Sequence, residues 1–140
     1  MFSQTTEYAL RAVVWLASQK AEPQTTMQIA ATTRVPPGYL SKVLQALARA
    51  NLVNSQRGLY GGFTLTRPPD KISVLEVINA VDPIHRIESC PLGLKAHGTQ
   101  LCALHRRLDD AIAHIQKAFS ESTIADLLAE PSTSHPLCEE

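Results

Sequence analysis

Long apolar runs, paired cysteines and any net charge are missing from this 140-residue chain. No stretch approaches the roughly 18 consecutive apolar residues of a membrane span, so a transmembrane helix is excluded. Met1 to Glu7 lacks the basic start and apolar stretch of a signal peptide. The expected location is therefore the cytoplasm, with no membrane partner. Three cysteines are an odd number, which argues against a disulfide framework and for a metal or redox role. No nucleophile accompanied by a positioned base, no P-loop and no dinucleotide-binding glycine motif is present. The glycines that do cluster, Gly58, Gly61 and Gly62, fall in a hairpin pattern and not between a strand and a helix. An enzyme is not expected. The length suits one domain plus an appendage, large enough to bury a core without staples.

The zero net charge hides an uneven distribution. Residues 1–67 carry seven Lys or Arg (Arg11, Lys20, Arg34, Lys42, Arg49, Arg57, Arg67) against Glu7 and Glu22, a balance of +5. Residues 68–140 carry six bases and eleven acids, a balance of −5. A basic half joined to an acidic half suits a DNA-binding head on a body that does not touch DNA.

The pattern along the chain agrees. Thr6 to Gln19 has helical apolar spacing through Ala9, Leu10, Val13, Val14, Leu16 and Ala17, and Pro23 enforces a break. Thr25 with Gln28 is a capping box that opens a short second helix. Pro36-Pro37-Gly38 makes a turn, with a proline well placed in the first turn of a third helix to about Ala50, whose buried stripe is Leu40, Val43, Leu44 and Leu47. Three helices in this order, the last two joined tightly, predict a helix-turn-helix. Leu52 to Ser55 and Phe63 to Thr66 can pair as strands around the glycine tip, which makes a wing. Ser73 with Glu76 is a second capping box, opening a helix to about Val81.

The expected fold class is mainly α with a small β-hairpin wing: a winged helix-turn-helix head over residues 1–82. Residues 83–100 read as a sensor loop. Residues 101–130 hold a long helix and a short one, and residues 131–140 a disordered tail. Leu101, Leu104, Leu108, Ala111, Ile115 and Ala118 alternate by three and four, a heptad seam that predicts homodimerisation through residues 101–119. Arg106-Arg107 followed by Asp109-Asp110 offers i,i+3 ion pairs along that helix.

A recognition helix reads base edges with residues near its N-terminal end. The exposed candidates are Tyr39, Ser41, Lys42 and Gln45. Gln pairs with adenine, Lys with guanine, and Ser is unselective. Arg57, Gly58 and Tyr60 lie at the wing, where an arginine can enter a narrow minor groove. Gln28, Arg34 and Arg49 are candidate phosphate contacts, which position without specifying. Double-stranded DNA is the expected partner. The competing reading is a winged-helix module that binds another protein.

Cys90, Cys102 and His105 form the second constellation. His105 lies three residues after Cys102, on the same helical face. Two thiolates and one or two imidazoles suit zinc, and a reversible Cys90–Cys102 disulfide is a further option. Cys138 lies in the tail, away from these residues.

The order Tyr39-Leu40, Leu52-Val53, Arg57-Gly58, Gly61-Gly62 and Ile72 to Asp82, with Glu7-Tyr8-Ala9-Leu10-Arg11 in the first helix, resembles the Rrf-type (IscR/NsrR/RirA/CymR-like) winged-helix regulators over roughly residues 1–120. The resemblance implies a homodimeric transcription factor, usually a repressor, on partly palindromic operators. It also implies an iron–sulfur cluster held by three cysteines after the wing-following helix. Cys90 and Cys102 match the first and third of them, and Ala96 stands at the second. Histidine can replace cysteine on an iron, so Cys90, Cys102, His105 and one further ligand suit a 2Fe–2S cluster in preference to 4Fe–4S. In relatives an acidic residue of the first helix reaches the cluster from the partner subunit, which makes Glu7 the candidate fourth ligand. His97 is the local alternative. A regulator of the same fold without a cluster, dependent on thiols or zinc, is the alternative.

Overall fold

The computed structural model describes residues 2–19, 22–97 and 100–131. The tail expected beyond Pro131, with Cys138, lies outside the described residues. Six helices and one two-stranded hairpin follow in the order α1 (Gln4–Ser18), α2 (Thr26–Thr33), α3 (Pro37–Arg49), β1 (Val53–Gln56), β2 (Gly62–Leu65), α4 (Val74–Val81), α5 (Ala103–Glu121) and α6 (Ile124–Ala129).

The local signals are built as read. Thr25 accepts from the Gln28 amide while Gln28 Oε1 accepts from the Thr25 amide, which closes the capping box of α2. Ser73 and Glu76 do the same for α4, and a third box, Thr123 with Asp126, not singled out in the sequence, opens α6. Pro37 takes the first position of α3 behind Pro36.

The core sits where α1, α2, α3 and α4 meet. Ala9, Ala12 and Val13 face Ile29, Leu40, Leu44, Leu47, Val77 and Ile78, all buried. Each fully buried Leu, Ile or Val contributes about 1.5–3 kcal/mol relative to exposure. β1 and β2 pair antiparallel from Val53 opposite Leu65 to Gln56 opposite Gly62, within a residue of the expected strands.

Two tertiary links have no local sequence signal. Gln24, between α1 and α2, exchanges both backbone hydrogen bonds with Phe63 at 3.0 and 2.7 Å, which fastens the wing to the helical core. Gly62 permits this approach, because a Cβ there would lie 2.6 Å from the Gln24 backbone. At the other end, Ile124 donates to the Ile72 carbonyl at 2.9 Å and buries its side chain in the head. The short α6 therefore returns to the head that α5 leaves. No helix among the described residues is long and apolar enough to cross a membrane.

Candidate DNA interface and thiol–imidazole site

Helix α3 divides into two faces. Leu40, Val43, Leu44 and Leu47 are buried, while Ser41, Lys42, Gln45 and Arg49 share the opposite, exposed face at helical spacing. The reading face is therefore presented whole, held from behind by the core. Tyr39 lies at its N-terminal edge, half exposed, and meets Tyr8 of α1 edge to face at 5.5 Å. The Ser41 hydroxyl donates to the Pro37 carbonyl at 3.1 Å, which leaves it an acceptor toward a ligand. Gln28 spends its carbonyl oxygen on the cap and keeps its amide donors exposed. Arg34 is exposed at the left-handed residue that ends α2.

The wing tip holds Arg57, Gly58, Leu59 and Tyr60. Gly58 has φ 108°, a conformation that a side chain resists. Tyr60 is 87 % exposed and Leu59 90 %. Leu59 was not singled out in the sequence, where a leucine beside glycine carries no polar signal. Arg11 is paired with Glu7 at 3.1 Å, and Arg67 with Glu76 at 2.9 Å. Among the described residues, no acid pairs with Lys42, Arg49 or Arg57. These three are therefore available as cations on the described surface of the head.

The second constellation lies around the start of α5. Cys102 is the N-cap residue of that helix, and its thiol makes no capping bond. Its Sγ lies instead 3.3 Å from His105 Nδ1. A tetrahedral metal bonded at about 2.3 Å to sulfur and 2.05 Å to nitrogen holds those atoms about 3.3–3.6 Å apart. The contact is a thiol–imidazole hydrogen bond, and its length also falls within the separation of two ligands on one metal. Cys90 is half buried in the preceding loop, where its carbonyl accepts from the Gly93 amide at 3.0 Å. Among the described residues no three His, Cys, Asp or Glu side chains converge as a metal-holding group. Ala96 stands in a short 3-10 turn, Lys95–His97, and adds no donor. The His97 side chain lies outside the described residues. Glu7, on α1, is held by Arg11 within its own chain.

Asp109 departs from its expected role. It does not serve an i,i+3 pair along α5. Arg86, from the loop, grips it with Nε and Nη2, each donating at 2.7 Å to one carboxylate oxygen. The Ile87 amide adds a third bond at 2.9 Å. A planar guanidinium matches a carboxylate bidentately, and the Arg86 side chain makes that fork while its neighbour Ile87 adds a backbone donor. The Arg86 hydrogen bonds, helped by the Ile87 amide, hold the Asp109 carboxyl down to about 2, and Asp109 in turn raises Arg86.

The helix-turn-helix, its exposed reading face and the wing define a winged-helix DNA-binding regulator. The chain belongs to the Rrf2 family, described as iron-dependent transcriptional regulators, whose family model matches residues 2–130. It is 30% identical over 131 residues to a provisionally named HTH-type transcriptional regulator of Aquifex aeolicus (strain VF5), covering 91% of each chain. Among solved structures it is similar to CymR, the global cysteine regulator of B. subtilis, with TM-score 0.73 and 28% identity over 94% of this chain and 98% of that one. It shares its fold with T. potens IscR at TM-score 0.75 and 22% identity, covering 96% and 93% of the two chains. The family and these relatives are transcriptional regulators and not enzymes.

Proposed function

We propose that this DNA-binding regulator works as a homodimer, most simply a repressor, on a partly palindromic operator. Its affinity is set by an iron–sulfur cluster, 2Fe–2S in preference to 4Fe–4S, at Cys90, Cys102 and His105. The observation that carries the site is the 3.3 Å separation of Cys102 Sγ and His105 Nδ1 at the head of α5. A soft thiolate and an imidazole at that distance fit an iron or zinc corner. Cys90 is the third donor by sequence position, and the fourth is Glu7 of a second copy, with His97 the alternative.

Dimerisation is supported by α5, which buries none of its residues within one chain. Leu104 is 61% exposed and Leu108 48% exposed on the heptad seam. When bound, a cluster supplies a group whose charge and coordination change on oxidation, nitrosylation or loss. The residues of the chain convert that into geometry. A ligand from α1 of one chain, meeting α5 of the other, ties the angle between heads to the occupancy of the site. Half-site spacing then selects one angle. Lys42 and Gln45 read the major groove, Arg57 the minor groove, and Gln28, Arg34 and Arg49 hold phosphates.

A second reading has its own observation. The thiol–imidazole pair needs no metal to respond to oxidants, and one solved relative, at 25% identity and TM-score 0.69, is the oxidised form of Staphylococcus aureus CymR. Anaerobic purification with iron and acid-labile sulfide assays separates the two. Iron and sulfide near two per chain, with a red-brown visible spectrum, are expected. A colourless protein after attempted reconstitution refutes the cluster and leaves the thiol or zinc reading.

A further inference from the structure

The segment between α4 and Cys90 is strapped along α5 in a definite register. Its first anchor is the Ile84 carbonyl, which accepts from Gln116 Nε2 at 3.0 Å, while the Ile84 amide donates to Asn79 Oδ1 at 3.0 Å. Its second is the Asp109 carboxylate, which takes Arg86 and the Ile87 amide. From Ile84 to Ile87 the strap advances three residues, while its partners step back seven, from Gln116 to Asp109. Seven helical residues rise about 10.5 Å. Three extended residues cover about 10 Å. The strap therefore runs extended and antiparallel to the helix. Three further residues lead from Ile87 to Cys90 through a bend at Ser89, and seven lead back along α5 from Asp109 to Cys102.

The faces agree with the register. At helical spacing Cys102, His105, Asp109, Ile112 and Gln116 alternate by three and four, so they form one stripe. The stripe that holds the strap is the stripe that presents the thiol–imidazole pair. The heptad seam of Leu104, Leu108 and Ala111 lies beside it and stays open.

We propose that Asp109, gripped by Arg86, is the positioning residue that sets the register of this strap and delivers Cys90 to the Cys102–His105 pair. This rests on reading those three residues as one site. Cys90 does not join the pair as a three-donor group among the described residues. The strap fixes the chain ahead of Cys90, and the Gly93 amide closes a turn on the Cys90 carbonyl just after it.

The test uses the reduced, metal-free full chain carrying Cys138→Ser, treated with dibromobimane, which fluoresces when it bridges two thiols. A fluorescent bridge within one chain is expected, lost with Cys90→Ser or Cys102→Ser. Asp109→Ala and Arg86→Ala should each slow bridging about tenfold or more, as misplacement of reacting groups does. Alkylation of Cys102 by a monofunctional reagent should keep its rate. Exchange of the pair, Arg86→Asp with Asp109→Arg, should restore only part of the bridging, because the reversed ion pair lacks the acceptor that the Ile87 amide uses. An unchanged bridging rate in Arg86→Ala, a bridge between chains on a denaturing gel, or no bridge in the parent protein would overturn the proposal. If Asp109→Ala fails to fold, Arg86→Ala, whose side chain is exposed, decides alone. Because the readout is metal-free, absence of iron and sulfide refutes the cluster without touching this result.

Discussion

Asp109 is one carboxylate among thirteen acids, and its surroundings decide what it does. Three N–H groups converge on it and favour its charged form. Its folded value, about 2, lies below the ordinary aspartate value near 3.9. A depressed carboxylate stabilises the folded state above its unfolded value and loses that contribution as pH falls through the folded one. The difference in Tm between the parent protein and Asp109→Asn should therefore be constant above about pH 5, shrink progressively as pH falls, and vanish near pH 1. Thermal unfolding across that range checks it, and a difference that shrinks between pH 8 and 6 would mean another group is responsible. The residue type was visible in the sequence. Its partner was not, because Arg86 lies 23 residues away and two nearer arginines compete on paper.

Helix α5 is the element on which the molecule turns. It has one stripe strapped to its own chain and a neighbouring stripe that is apolar and uncovered. Leu104 and Leu108 on the uncovered stripe make no contribution to the core of one chain, so their change should spare the head. Leu104→Asp with Leu108→Asp is expected to turn a dimer into a monomer in sedimentation equilibrium while leaving the head folded. Operator affinity should fall about 100-fold, since two linked heads gain effective concentration that one lacks. A dimer that survives both changes would move the interface elsewhere. The heptad spacing made this helix legible, as capping boxes made α2 and α4 legible. Those signals lie within three or four residues, where the physics is local.

At the scale of the whole molecule the charge is partitioned. The basic half folds into the head, and Lys42, Arg49 and Arg57 are left without acidic partners among the described residues. In a dimer each of them acts twice. Removing one phosphate-neutralising cation per chain should reduce the slope of log affinity against log salt by about 1.8. Arg57→Ala and Lys42→Ala are each expected to weaken duplex binding, with Lys42→Ala also relaxing sequence preference if it reads guanine. A salt-titrated shift assay checks both, and unchanged affinity in both would refute the groove assignment. The site is a whole-molecule property as well. Cys102 and His105 were legible as a Cys-x-x-His unit on one helix. Glu7, the fourth ligand proposed above, belongs to a different helix and is held there by Arg11 of its own chain.

The amino-acid order by itself determined the winged helix-turn-helix, the two faces of α3, the glycine tip of the wing and the capping boxes of α2 and α4. Each is a pattern of neighbours, settled by backbone conformation, side-chain period and hydrogen bonds a few residues long. The tertiary structure alone decided that Gln24 pairs with Phe63, that α6 returns to Ile72, and that Arg86 and Ile84 find Asp109 and Gln116. These contacts join segments 23 to 52 residues apart in the chain. They form because the core first fixes where the distant backbones lie, and no short window of sequence carries that information.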